Sequence, residues 1–528
     1  MNRLINLGIF ILFLNKIIDL LKSLSRPLAP LFYRLIAVIH RYHPCRLCMR
    51  CCVRLRKFWQ SWQARLQRWI PSWQRLAFNM GIGLFIFFCL QFVSDSRFMH
   101  ETEDLGIDWV MKMHRDTAPV KEAPPFVLLD IDENTYQKWQ EPFLTPRDKL
   151  LKLLKFAVEG QPQIIIVDID LSYPSNHPSK KSLPKHDQNL YEFFAQYEAN
   201  YCKTKCPHIL LARGIKRIKL PQPKHDYFEQ RLSFLEEAVA NSQHIHWAST
   251  LFDLERDNVL RRWHLWKITC TENQPAVLLS MQLLAVALVK NPTEGGIQIR
   301  QKLNEIKPAD CDRADMMTPT GHFLLDDLKI HFSPTRLHRR IVYNISYNIS
   351  RKDVTRPNIS WKDVTHHILS TQVAFKITDN NQPIDNAFLQ DSITVIGGSY
   401  NDSRDIYATP IGRMPGTMVI INAIHSLLQY GELKTLSFWE MLLIQVALIF
   451  LMSFVFAYFK NILLGNLISV ALIIILMMPL SFLLFKYGVW LNFAITLLIL
   501  ELFQKAIDNR ELVNEIRSQR ANQRILKK

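Results

Sequence analysis

Phe126-Val127-Leu128-Leu129-Asp130 and Gln163-Ile164-Ile165-Ile166-Val167-Asp168 are the two stretches whose reading decides the fold. Each is a short, unbroken apolar run ending in an acid, as expected of a strand buried on both faces. Between them, Leu150, Leu151, Leu154 and Val158 of Arg147–Val158 fall at helical spacing, and Gly160 follows as a stop. Strand, helix, strand at this spacing predicts a parallel βαβ crossover. His208–Arg213 (HILLAR) and Ser392–Gly397 (SITVIG) read as further strands, and Tyr227–Ala240 and Pro275–Val289 as helices. The expectation is an α/β domain with a largely parallel central sheet.

Outward from this core, the chain changes character. Leu76–Val93 precedes the domain; Phe438–Phe459, Ile462–Phe485 and Val489–Phe503 follow it, and the only charges in these four spans are Glu440 and Glu501. A bilayer core takes about 20 apolar residues per helix, so four transmembrane helices are expected, one before the domain and three after. The predicted organisation is a basic, Trp-rich segment 1–75, a span 76–93, an extracytoplasmic domain 94–436, three spans 437–504 and a basic tail 505–528.

Charge sets the sidedness. Of the formal +17, residues 1–75 supply +13 and residues 505–528 supply +4, leaving the stretch between them neutral. Basic flanks stay in the cytoplasm, which predicts cytoplasmic termini and a periplasmic domain. Because the surplus is confined to membrane-flanking segments, the partner it implies is anionic lipid at residues 1–75 rather than nucleic acid.

Within that segment, Leu4–Leu21 carries Lys16 and Asp19, so it reads as an amphipathic or partly inserted helix, with a fifth span as the alternative. Trp59, Trp62, Leu66, Trp69 and Trp73 form one helical stripe among basic residues, suited to the headgroup level or to a partner helix. Cys45, Cys48, Cys51 and Cys52 have metal-like spacing beside His40 and His43, but no second half-site; reduced thiols are the alternative. In the outer domain Cys202 and Cys206 are close enough in sequence to form a local disulfide.

Ligands in open α/β sheets gather beyond the carboxyl ends of the strands. Those ends here read Asp130-Ile131-Asp132, Asp168-Ile169-Asp170 and Gly397-Gly398 followed by Asp402 and Asp405. On parallel strands such acids share one rim, where they hold a cation, bind a polyol or amine, or cap helices and loops. Asp130-Ile131-Asp132-Glu133-Asn134-Thr135 approaches a haloacid-dehalogenase nucleophile loop but places Thr135 one position late, and GxSxG, HExxH and phosphate-loop motifs are absent. Near Asn348–Thr355, the repeat Asn358–Thr365 matches it at seven of eight positions, as a small loop duplication would.

Several segments together resemble the type 2 CHASE domain, a sensory extracellular module associated with cyclases and histidine kinases. They are FVLLDIDENT (126–135), Thr145-Pro146-Arg147, IIIVDIDLSYPS (164–175), Asp257–Arg262, IVYNIS (341–346), Ile359–Val364 and, most fully, Ile393–Leu428 with Asp405, Thr409-Pro410, Pro415-Gly416 and Asn422. A His-Ala pair common in relatives before that Asn is Ile420-Ile421 here. The resemblance covers roughly residues 95–505. It implies a sensing module, with Asp130, Asp132, Arg147, Asp168, Asp405, Thr409 and Asn422 as candidate ligand-binding residues. No catalytic residue and no cofactor is assigned.

The expected function is therefore that of a bacterial inner-membrane sensor or receptor subunit. Relatives carry a kinase, cyclase or phosphatase after the last span, whereas 24 residues follow here, so output is expected from a separate partner. A scaffold of a cell-envelope complex is the alternative, and a periplasmic hydrolase or transferase using Asp130 and Asp132 the third reading. Ligand, metal and oligomeric state, a homo-oligomer included, stay open at this level.

Overall fold

The structure, a computed structural model, describes residues 73–92, 97–117, 121–175, 183–202, 205–219, 227–271, 274–305, 307, 311, 320–333, 337–347, 366–370, 386–459, 462–491, 496, 499–502 and 505. The expectations for Leu4–Leu21, for the tryptophan stripe before Trp73, for Cys45–Cys52, for the repeat 348–365 and for the tail beyond Lys505 lie outside the described residues.

The central sheet has six strands: β1 (Phe126–Ile131), β2 (Ile164–Asp168), β3 (His208–Ala212), β4 (Ile245–Ala248), β5 (His366–Ser370) and β6 (Ile393–Gly398). They lie in the order β5-β1-β6-β2-β3-β4, and every neighbouring pair is parallel. The apolar runs are continuous because both faces are covered. One face, with Phe126, Leu128, Ile166 and Val395, packs with α5 (Met281–Lys290) and α6 (Gly416–Tyr430). The other, with Val127, Leu129, Val167 and Ile396, packs with α3 (Arg147–Glu159) and α4 (Lys185–Ala195).

Two helix expectations are corrected. Tyr227–Gln230 is a strand paired with Ile215–Ile218, and only Glu236–Val239 is helical within the predicted 227–240. Gln274–Leu279 is likewise a strand, against Trp266–Thr271; helix α5 begins after Ser280, whose side chain accepts from the Leu283 N–H as an N-cap. In both places aromatic or branched residues with a cross-strand partner override helical spacing.

The span count is corrected as well. Among the described residues two helices are long and apolar enough to cross a membrane, Phe438–Phe456 within α7 (Phe438–Tyr458) and Leu467–Lys486 within α8 (Ile462–Lys486), rather than four. The apolar part of α1 (Trp73–Phe92), Leu76–Gln91, is shorter, about 24 Å of helix against a hydrocarbon core of about 30 Å. The predicted fourth span starts not as a helix but as the strand Val489–Trp490, which pairs with Lys434–Thr435. That pairing brings the end of α8 back beside the start of α7.

The chain divides into two compact units, 1–83 with 449–466, and 84–448 with 467–528. In the first, Gly83 lets α1 approach α7 closely: a Cβ there would meet Ile449 Cγ2 at 2.5 Å. In the second, α2 (Arg97–His114) lies against a three-stranded antiparallel sheet formed by 252–254, 260–264 and 338–340. Cysteines join Cys202 to Cys206 and Cys270 to Cys311.

Candidate functional site

Register brings the strand-end acids together. Asp130 of β1 stands opposite Gly397 of β6, and Gly397 opposite Asp168 of β2. Parallel strands in register present these three residues to the same face, so two carboxylates flank a position with no side chain. The gap is needed: a Cβ on Gly397 would lie 2.4 Å from Thr417 Cγ2, in the first turn of α6. Chain connections out of β1 and β2 run to α3 and α4 on one face, while β6 leads to α6 on the other. Such a divergence opens the crevice where α/β sheets receive ligands.

Asp405 reaches this crevice from the loop between β6 and α6. Its main-chain oxygen accepts from the Gly416 N–H at 2.8 Å, and its carboxylate packs so tightly that a Cβ on Gly416 would sit 2.3 Å from Oδ2. The Tyr407 hydroxyl and the Gly416 N–H near the carboxylate favour its charged form. Burial nonetheless raises its pKa, to about 6. Asp168 is raised further, to about 7, by burial and by the charge of Asp405 beside it. Two carboxylates this close in a desolvated place do not both ionise readily, so the pair retains a proton near neutral pH.

Asp130 is 2% exposed and accepts from Ser399 Oγ at 2.8 Å and Tyr347 Oη at 3.3 Å. The loops after β1 and β6 are bound to one another around it. Ser399 N donates to Ile131 O, Asn401 N donates to Glu133, and the rings of Tyr136 and Tyr400 stack 4.1 Å apart. Tyr407, Ser399 and Tyr347 were not picked out from sequence; Tyr407, two residues beyond Asp405, was the nearest to being legible.

The other sequence candidates are occupied by the fold. Asp132 caps the short helix Glu133–Lys138, accepting from Thr135 N and Oγ1. Arg147 turns away from the acid pair: it donates to Tyr173 O at 3.0 Å and faces Asp187 at 3.5 Å. Asp187 in turn holds Ser175 N and Oγ, so this pair fastens the β2–α4 loop. Thr409 donates to Gly412 O within the hairpin 406–415. Asn422, fully buried on α6, accepts from Asn344 N and Ile345 N and donates to Ile345 O and Met418 O. It clamps the 341–346 segment onto α6 and has no capacity left for a ligand.

A cavity of about 550 Å³ opens elsewhere, beside β4, and none of the three aspartates lines it. Its charges answer one another: Arg213 is held by Glu236 and lies over the Trp247 ring, and Arg300 donates to His246. The acid pair at the strand ends is the stronger candidate, because two carboxyl groups with raised pKa values meet there in the crevice at the sheet's carboxyl edge.

The family model of the CHASE2 domain matches residues 82–457. No curated protein and no solved structure matches the chain.

Proposed function

Because the chain belongs to the CHASE2 domain family, we propose that it is a membrane-anchored sensor whose extracytoplasmic domain detects a small cationic ligand. The observation that carries this reading is the Asp168–Asp405 pair, with raised pKa values at the sheet's carboxyl edge. A metal cation or a protonated amine entering there would take the place of the shared proton and balance both carboxylates, so binding is coupled to proton release. The chemistry is recognition rather than turnover.

Helices α7 and α8 form the anchor in this reading. They enter and return as a hairpin, with Lys434–Thr435 and Val489–Trp490 joined on the sensory side and Lys460-Asn461 on the cytoplasmic side. In the same reading the basic segment 1–75 sits against anionic lipid. Signal leaves through α2, whose last residue, His114, packs on Phe482 and Phe485 of α8 at 5.1 and 5.6 Å. It reaches a separate cytoplasmic or membrane partner.

Calorimetric titration of the full chain in lipid nanodiscs with Ca2+ and with putrescine tests the proposal. Binding of either that releases protons and disappears in Asp168→Asn and Asp405→Asn supports it. Binding unaffected by both substitutions, or no binding by either probe, refutes it.

A further inference from the structure

Three strands far from the acid pair in sequence bring a second set of chemical groups together. In the antiparallel sheet 252–254, 260–264, 338–340, Asp253 stands opposite Arg262 and His338 opposite His264. Arg262 and His264, two residues apart on one strand, share a face, so Asp253, His264 and His338 all project from that face. The rings of His264 and His338 lie 4.0 Å apart, and His338 Nδ1 is 3.2 Å from Asp253 Oδ2. One donor atom from each residue lies within 4.8 Å of the other two.

We propose that Asp253, His264 and His338 form a zinc site that clasps these three strands. Two imidazoles and one carboxylate make a borderline nitrogen–oxygen set of the kind Zn2+ takes with three protein ligands, leaving a fourth position open. Ligand bonds of about 2.0–2.1 Å place neighbouring donor atoms roughly 3.4 Å apart. Asp253 and His338 already meet that spacing, and both side chains, about two-fifths exposed, have room to turn toward His264.

The surroundings leave the three groups available. Arg262, beside Asp253 on the same face, is held by Asp104 and Glu255, and Arg340 is held by Asp104. Lys267 lies over the Phe228 ring. A metal would take the place of the proton between His338 and Asp253. A second candidate set, Cys202, Cys206 and His244, has its sulfurs bonded to each other and so lacks thiolates to offer.

The site also has a consequence for the fold. Two of these strands, 260–264 and 338–340, grip α2 through Arg261, Arg262 and Arg340. A metal joining them would stiffen that grip.

Zinc and cobalt binding to the full chain in nanodiscs tests the inference, by competition with a chromogenic chelator and by visible absorption of the Co2+ form. We expect one zinc equivalent that is lost in His264→Ala/His338→Ala and weakened at least about tenfold in Asp253→Asn, since a direct ligand matters no less than the outer groups that orient one. The Co2+ spectrum should show a tetrahedral site without thiolate charge transfer. His338→Gln, at a half-exposed position, should keep the native circular dichroism while losing affinity. Unchanged zinc stoichiometry in the double-histidine variant overturns the site. So does loss of all zinc on replacing Cys45, Cys48, Cys51 and Cys52 with serine. Asp168→Asn should leave this zinc in place, which separates the inference from the cation-sensing proposal.

Discussion

Arg261 grips Asp108 with two of its nitrogens, Nη2 at 2.8 Å from Oδ2 and Nε at 3.1 Å from Oδ1. The pair is nearly buried, with side chains 4% and 12% exposed. It ties the sheet strand 260–264 to α2, the helix that follows α1 in the chain. Arg261 also binds Glu255 and Asp257, and Arg262 and Arg340 both take Asp104. The Asp257–Arg262 segment that resembles the family's pattern is therefore a clamp on α2.

Breaking that clamp leaves a buried charge without its partner. Arg261→Ala should destabilise the full chain by about 3–5 kcal/mol, read as a lowered denaturant midpoint. Asp108→Asn should do less, because Glu255 and Asp257 still answer Arg261. Equal stability of wild type and Arg261→Ala would mean that the network contributes nothing net.

Asn422 makes the opposite kind of prediction from a ligand contact. Asn422→Ala orphans the N–H groups of Asn344 and Ile345 in the core, at a cost of at least about 2 kcal/mol. Cation affinity, measured at a temperature where the variant is folded, should be unchanged. A variant of wild-type stability with lost binding would return Asn422 to the ligand site.

Gly397→Ala tests the crevice itself. The added methyl meets Thr417 and crowds Asp168, so α6 or the sheet must shift at a cost of roughly 1–3 kcal/mol. Gly397→Ala/Thr417→Ser, which removes the opposing methyl, should recover most of that loss in thermal unfolding.

The raised Asp168 also fixes a direction for pH. Unfolded, it ionises near 3.8; folded, near 7. Between those values the folded chain keeps a proton that the unfolded chain has released. The stabilisation is therefore complete at pH below about 4 and fades as pH rises through about 7. Asp168→Asn, neutral throughout, should flatten this slope and unfold at a higher temperature than wild type above pH 7. A steeper slope in the variant would contradict the assignment.

The parallel sheet was legible because its strands are buried on both faces: FVLL, IIIV and ITVI are unbroken apolar runs, and a length argument separates them from helices. Tyr227–Gln230 and Gln274–Leu279 were not, because they pair with Ile215–Ile218 and Trp266–Thr271, mixed segments near in the chain that lack an unbroken apolar run. The same limit applies to the site. Acids at strand ends could be listed, but Asp132 caps a helix and Asp168 does not, a distinction set by Thr135 next to one and Asp405 far along the chain from the other. Arg147 found Asp187 rather than the rim for the same reason. His264 and His338 are brought together only by a strand pairing 74 residues apart in sequence.

The proposed sensing depends on a proton held by Asp168 and Asp405 that a cation would displace. Difference infrared spectroscopy of the full chain in nanodiscs at about pH 6.5, between the two raised values and above the ordinary carboxylate range, reads that proton as a carboxylic-acid carbonyl band. The band should be present in wild type, absent in Asp168→Asn, and bleached when Ca2+ or putrescine is added. A wild-type spectrum with no such band, or a band that persists in Asp168→Asn and Asp405→Asn and ignores both cations, would contradict the account.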